Sequence, residues 1–484
     1  MNKSSSLYCI TSSIRDLSKL ISSKALSPVD LIEVTLEQIS KLNPTLNAFI
    51  TVLEDSARRE AKEAEASIKE GRYKGPLHGI PISLKDLIYV KGVRSTSGSK
   101  ILSNFVPNYD ATVVRKLRDA GTIIIGMNNT HEFACGLTNI NPHYGSSKNP
   151  WDISRMSGGS SGGSAVAVSA GMASGSIGTD TSGSIRVPCS FCGLFGLKPT
   201  YGRVSKYGVM QLAPSIDHVG PIARNAWDVA AILQAIAGYD KYDGSTINAP
   251  VPDYVSLISE NKDREAKFKL GVPKEYFFDL IDAKVLRTFE KFIAQLNEYG
   301  VSTVSVGLME TDKIFETWKA LRLGESAATH NEWLSTKRHE YGDDVLAMLE
   351  NGKKVSAIDY IKAHSQKQEL KNAFLESMSG LDGLVVPTTI ITSPLLDQKV
   401  VNIDGNDVEV YQALSRLTTV FDVTGLPAIN VPTDPVDGKL PVGAQLVGRS
   451  FDEGTILSIA HHYEECHRIY EKMRPPVIGG FESG

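Results

Sequence analysis

Residues Ser157 to Pro188 read SGGSSGGSAVAVSAGMASGSIGTDTSGSIRVP. Two clusters of small residues, Gly158 to Gly163 and Thr181 to Ser184, flank a run of Ala, Val, Met and Ser that can pack as a buried helix. Glycine lets a backbone approach a ligand closely. Hydroxyls beside such backbone can act as nucleophiles, and the neighbouring N–H groups can receive an oxyanion. A second stretch, Ile80-Pro81-Ile82-Ser83-Leu84-Lys85-Asp86, ends an apolar strand on a lysine. Alone, Lys85 reads as a solvated or salt-bridged side chain, because lysine is rarely buried without a partner. Together with the serine-rich clusters it becomes a candidate base.

Outward from this segment the pattern alternates strand and helix in the manner of an α/β sheet. Gly79 to Leu87 is expected to be the first core strand, Ala111 to Ala120 a helix and Thr122 to Gly126 an apolar strand. Upstream, residues 1–71 read as a helical wrap: Ser27-Pro28 is a cap and first-turn proline, and Asn43-Pro44 is expected to stop that helix. Downstream come a strand at Phe195 to Lys198, a helix at Ala226 to Ala237 and a polar excursion from Tyr239 to Ala266. Further helices are expected at Asp282 to Gly300, Asp312 to Arg338, Ser356 to Met378, Val408 to Val423 and Asp452 to Met473. Strands are expected at Lys269 to Val272, Leu384 to Pro387, Ala428 to Val431 and Val442 to Val447. No internal repeat is evident.

The 484 residues carry a formal charge of −4 and 22% charged side chains, which gives no basic stripe for nucleic acid. Five scattered cysteines argue against a disulfide framework and fit a reducing compartment. Cys189 and Cys192 form a CxxC with no second pair to complete a zinc site, so they read as small buried apolar residues. No run of eighteen apolar residues occurs, and Met1 to Asp16 lacks a signal-peptide core. A cytoplasmic protein without membrane or direct nucleic-acid contacts is the expectation.

Gly158 to Gly163, then Asp180, Gly183, Ser184, Ile185, Arg186 and Pro188, follow the spacing of the amidase signature family of serine hydrolases, which the chain resembles over nearly its whole length. The resemblance implies a large mixed β-sheet covered by helices on both faces, built as one domain over residues 1–484 with the signature core at 77–238. It implies Ser184 as nucleophile, Ser160 as the proton-relaying serine and Lys85 as the ultimate base. The backbone N–H groups of Thr181, Ser182, Gly183 and Ser184 would form the oxyanion hole, with Asp180 and Arg186 bracing the loop. No metal or other cofactor is implied. Ser182 departs from the family, which has glycine or alanine there.

Other readings of the same residues are weaker. Gly158-Gly159-Ser160-Ser161-Gly162 fits the G-x-S-x-G elbow of α/β-hydrolases, but that motif needs a preceding strand, and Asn149 to Met156 is a poor one. No phosphate-binding glycine loop is present. His131 and Glu132 read as a hydrogen-bonded loop pair. Asp217 and His218 point to opposite faces of an extended segment and so do not converge on one serine. Met127, Phe133, Cys135, Tyr144, Phe191 and Met210 are candidate pocket walls.

Within the family two branches are in view. One is a free-standing amidase that converts a small carboxamide to carboxylate and ammonia. The other is the glutamine-hydrolysing component of the aminoacyl-tRNA amidotransferases, their A subunit, which releases ammonia from glutamine and works with partner subunits B and C. Members of that branch have Asp-Glu-Phe where this chain has His131-Glu132-Phe133, and Arg-Gln-Pro where it has Arg186-Val187-Pro188. Their glutamine-gripping arginine and aspartate fall near Lys367 and Ser415, and lysine lacks the fork that binds a carboxylate. The expectation is therefore a free amidase acting on a small-molecule amide, with a homodimer as one arrangement it could take.

Overall fold

The computed structural model describes residues 8–260 and 268–479. Eleven strands form one mixed sheet: β1 (Phe49–Val52), β2 (Pro81–Lys85), β3 (Ile123–Asn128), β6 (Gly175–Asp180), β7 (Phe195–Lys198), β8 (His218–Ala223), β9 (Lys269–Pro273), β10 (Ser302–Val306), β11 (Gly383–Pro387), β14 (Ala428–Pro432) and β15 (Gly443–Val447). The remaining numbers belong to two separate pairs, β4 (Lys148–Asn149) with β5 (Asp152–Met156), and β12 (Val400–Ile403) with β13 (Asn406–Glu409). The order across the main sheet is β1-β3-β2-β6-β8-β7-β14-β15-β11-β9-β10. The strands β3, β2 and β6 run parallel, with Ser83 paired to Ser176 and Leu84 to Ile177. The carboxyl ends of β2 and β6 therefore finish side by side, the edge at which open α/β sheets bind their ligands.

Both faces of the sheet are covered, and β3 shows how. Ile124 packs into one hydrophobic cluster with Ala226, Val229 and Leu233, whereas Ile123 and Ile125 pack into another with Ala165, Val166 and Val168. Alternating side chains of a strand face opposite ways. The Ala226–Ile236 helix and the Gly162–Ser169 helix thus cover opposite faces.

The signature helix is short and wholly buried because its side chains are small. Its first turn tolerates nothing larger at Gly163, where a Cβ would lie 2.4 Å from Asn129 O and 2.5 Å from Ala48 O. The two glycine-rich clusters are thus packing devices as well as chemistry.

Several expected elements are revised. The helix that begins at Pro28 runs through Pro44 to Leu46 and ends on Asn47 in the left-handed conformation. A proline in the last turn forfeits one N–H bond, and burial of Leu42 and Leu46 outweighs that loss. The segment β5 is a strand, but it pairs with β4 and bridges at Arg155 to Leu395, outside the main sheet, so it does not supply the elbow geometry. The excursion after Tyr239 contains the helix Tyr254–Glu260, anchored by buried Tyr254 and Ile258; its last residues lie outside those described.

Three expected helices are each interrupted. Residues 312–338 divide at His330 into Ile314–Thr329 and Asn331–Thr336. Residues 408–423 become Val410–Ser415 and Thr419–Thr424, and the last helix breaks at Arg468, whose φ is 55°. Strand β10, the Asp343–Gly352 helix and the β12–β13 hairpin have no counterpart among the expected elements. No helix among the described residues is long and apolar enough to cross a membrane.

Candidate active site

Lys85 ends β2 and is completely buried. Its Nζ donates to Ser160 Oγ at 2.6 Å and to Thr179 Oγ1 at 2.7 Å. Burial pushes its pKa down to about 7, and the buried carboxylates Asp180 and Asp217 oppose that shift without cancelling it. A lysine in this state is substantially neutral at neutral pH and can accept a proton.

Ser160 precedes the Gly162–Ser169 helix and is held from behind, because its carbonyl accepts from Thr130 Oγ1 (2.8 Å) and from the His131 N–H (3.3 Å). The Gly159–Ser160 peptide is cis. Ser184 follows β6, and its carbonyl accepts the Ser161 N–H at 3.2 Å, so the two serine loops are joined through their backbones. Among the described residues no hydrogen bond links Ser160 Oγ to Ser184 Oγ. Both serines are nearly inaccessible to solvent.

Asp180 organises the loop that carries Ser184. Its carboxylate accepts from the N–H groups of Gly183 (2.6 Å), Ile185 (3.1 Å) and Arg186 (3.4 Å). Arg186 returns to it with Nε and Nη2, each at 3.0 Å. The guanidinium also reaches Asp422 at 2.7 Å, Gln445 Oε1 at 2.7 Å and Thr418 O at 3.0 Å. Burial pushes the Asp180 carboxyl up, but the positive charge of Arg186 and the surrounding donors outweigh it and hold the group well below the usual range. Burial and the negative charge of Asp180 raise the carboxyl of Asp422.

The four expected oxyanion donors divide. Gly183 N–H is already donated to Asp180, which removes it from the available set. The N–H groups of Thr181, Ser182 and Ser184 have no protein acceptor among the described residues. Gly183 takes φ +113°, and a Cβ there would lie 2.3 Å from Thr418 Oγ1. Thr418 in turn donates to Ser182 O at 2.6 Å. Ser182 has its own use: its hydroxyl accepts the indole N–H of Trp318 at 3.0 Å, tying the loop to the Ile314–Thr329 helix.

A small cavity of about 10 Å³ adjoins the cluster, lined by Thr179, Thr181, Lys206, Met210 and Asp217 among others. That is room for about one water. Of the expected wall residues, only Met210 lines it; Met127 and Phe191 are buried core, and Phe133 stacks on Trp333. His131 and Glu132 do not bond to each other. His131 Nε2 meets Asp344 at 3.0 Å, and Glu132 accepts from Ser99 at 2.7 Å and Gly342 N at 2.8 Å and lies 3.0 Å from His143 Nε2. Asp217 accepts from Thr181 Oγ1 at 2.7 Å, whereas His218 Nδ1 lies 3.3 Å from Asp180 O, so neither completes a triad on Ser184. Cys189 and Cys192 are buried, and burial pushes both thiols up.

A buried lysine, two serine loops and an anchored turn of free N–H groups are the parts of a serine hydrolase of the amidase signature type. A family model described as Amidase matches residues 30–457, and the chain belongs to that family. It is an enzyme of amide carbon–nitrogen bonds. It is 36% identical to the A subunit of a glutamyl-tRNA(Gln) amidotransferase from Coxiella burnetii, over 95% of this chain and 99% of the relative. Among solved structures, a chain from a vestigial protein complex bearing on the evolutionary origins of an s-triazine catabolic enzyme superposes with TM-score 0.89 at 28% identity, covering 94% of this chain and 98% of that one. A peptide amidase from Stenotrophomonas maltophilia superposes with TM-score 0.82 at 30% identity, covering 94% and 97%.

Proposed function

We propose that this protein is an amidase that hydrolyses a small carboxamide to a carboxylate and ammonia through Lys85, Ser160 and Ser184. The observation that carries the reading is the 2.6 Å contact between a fully buried Lys85 and Ser160, at the joint end of β2 and β6. Neutral Lys85 takes the Ser160 proton as Ser160 takes that of Ser184, and Ser184 Oγ attacks the amide carbon. The oxyanion settles against the N–H groups of Thr181, Ser182 and Ser184. The same relay delivers the proton to the departing nitrogen, ammonia leaves, and water releases the acyl group from Ser184. The reading treats residues 1–484 as one catalytic unit, supported by a single sheet that draws strands from β1 to β15.

The free-amidase branch is supported by the surroundings of two residues. Lys367 donates to Ser215 O and packs over the Tyr201 ring, and Ser415 is buried with its hydroxyl turned to Gln412 O. Neither offers the forked cation or the carboxylate that would grip the ends of a glutamine. The second reading, a glutamine-hydrolysing amidotransferase component with partner subunits, is favoured by the sequence identity to the Coxiella protein.

Ammonia release by the purified chain, offered glutamine and a panel of simple amides, separates them. Turnover of simple amides without partners supports the first reading. Glutamine turnover that appears only when partner subunits are added reverses the order. Hydroxylamine should divert the acyl group to a hydroxamate, and a Ser184→Ala protein that still turns over would sink both.

A further inference from the structure

Arg322 lies one helical turn beyond Trp318 on the Ile314–Thr329 helix, so the two share a face. That face meets the nucleophile loop through the Trp318–Ser182 hydrogen bond. The Arg322 guanidinium is centred 5.3 Å from the Trp318 ring and 5.2 Å from the Tyr411 ring, and the two rings stack at 6.1 Å. Arg322 is only 4% exposed.

Its charge has no anionic partner among the described residues. Among the described residues the one acceptor it reaches is Cys135 O, through Nη2, and its Nε is buried without an acceptor. Arg186 has two carboxylates and Arg203 has Glu453; Arg224 resembles Arg322 in having no ion pair among the described residues and a buried Nε without an acceptor, but it donates to three carbonyls, those of Ser12, Val168 and Ala173, where Arg322 donates to one. The carboxylates near Cys135 are engaged elsewhere, Glu132 by Ser99, His143 and Gly342 N, Asp344 by His131, and Asp217 by Thr181 and the N–H groups of Leu212 and Ala213. A buried cation without a counter-charge is costly, and the cost falls when an anion arrives. The aromatic faces offset part of it, and the Nε hydrogen is left without a protein acceptor, a demand that a planar two-oxygen acceptor would meet.

We propose that Arg322 anchors a carboxylate on the acyl half of the substrate, which makes the preferred substrate the half-amide of a short dicarboxylic acid. The proposal deepens, and rests on, the amidase reading of Ser184. Trp318 and Tyr411 would flank the methylenes between the two ends, and Ser182 would link acyl recognition to the loop that stabilises the oxyanion.

Two readouts keep this inference separate from that reading. Binding is measured by calorimetry with succinamate, glutamine and butyramide on Ser184→Ala protein, which needs no chemistry. Turnover of the same three amides is measured on the unaltered chain, Arg322→Lys and Arg322→Met. Succinamate should bind at least about 100-fold more tightly than butyramide, whose missing carboxylate leaves the arginine unpaired. Arg322→Met should collapse the succinamate-to-butyramide ratio of kcat/KM by about 100-fold, mainly through KM, and Arg322→Lys should fall between. Equal binding of succinamate and butyramide overturns the proposal, as does an Arg322→Met protein that loses both in the same proportion, the mark of a merely structural arginine. Glutamine bound more tightly than succinamate overturns the half-amide assignment. Succinamate binding without turnover of any amide would count against the Ser184 chemistry and in favour of the anchor.

Discussion

Thr179 Oγ1 lies 2.7 Å from Lys85 Nζ, a second hydroxyl beside the one on Ser160. Hydrogen bonds to the charged form of a base raise its pKa, so Thr179 keeps Lys85 from falling further. Thr179→Val should move the acidic limb of the kcat/KM profile to lower pH. It should also lower kcat by about tenfold as the amine loses one tether, within the range expected for a displaced general base. A pH profile spanning both sides of neutrality reads both.

Lys85→Met should cut kcat by about 10²–10⁴-fold, the usual contribution of a positioned acid–base group. In the unaltered chain, activity should fall as pH drops below about 7, because protonated Lys85 cannot accept the serine proton. The sign for stability follows from the same shift. Unfolded lysine holds its proton to about pH 10.4, whereas folded Lys85 and Lys198 release theirs near 7. Between those values the unfolded chain binds more protons, so stability rises with pH. Urea titrations from about pH 7 to about pH 8 should show that slope, reduced in Lys85→Met and reduced further when Lys198 is replaced as well, while Lys367, held down to about 8 by burial, keeps part of it.

Arg186→Met strands Asp180 and Asp422 without their shared cation. Removing one partner of a buried ion pair costs about 3–5 kcal/mol. A marked drop in thermal midpoint is expected, together with loss of turnover as the Ser184 loop loosens. Retained stability would show that water replaces the guanidinium.

Gly183→Ala places a methyl 2.3 Å from Thr418 Oγ1 at a φ of +113°. Both the clash and the backbone conformation oppose it, so the loop must shift. The expected loss is about 1–3 kcal/mol of stability and at least about 100-fold in kcat, the scale of one lost oxyanion donor. Pairing it with Thr418→Ser, which deletes the methyl but keeps the hydroxyl, should recover little, because the hydroxyl is the nearer obstacle.

The nucleophile loop and Lys85 stand out in sequence through the family spacing from Gly158 to Pro188, whereas Lys85 alone, a lysine closing an apolar strand, reads as an ordinary solvated side chain. Thr179, Thr418, Asp422, Trp318 and Arg322 are not legible as site residues, because none carries a local pattern that marks it. All but Thr179 reach the loop by folding over a long stretch of chain. Ser182 reads in sequence only as a departure from the family's glycine or alanine, whereas its hydroxyl receives an indole N–H from 136 residues away. The availability of the Gly183 N–H likewise depends on where the Asp180 carboxylate turns. Helix interruptions at His330 and Arg468 are hidden because neither is marked by glycine or proline, and tertiary packing sets the break.

The Ile314–Thr329 helix touches the nucleophile loop through one tryptophan donor and one serine acceptor, and it stands apart in sequence from the segments that carry the relay. Such an attachment is easily traded. A lineage that replaced this single rod could change its diet of amides while leaving the proton traffic beneath it untouched, so divergence in nutrition would precede divergence in chemistry.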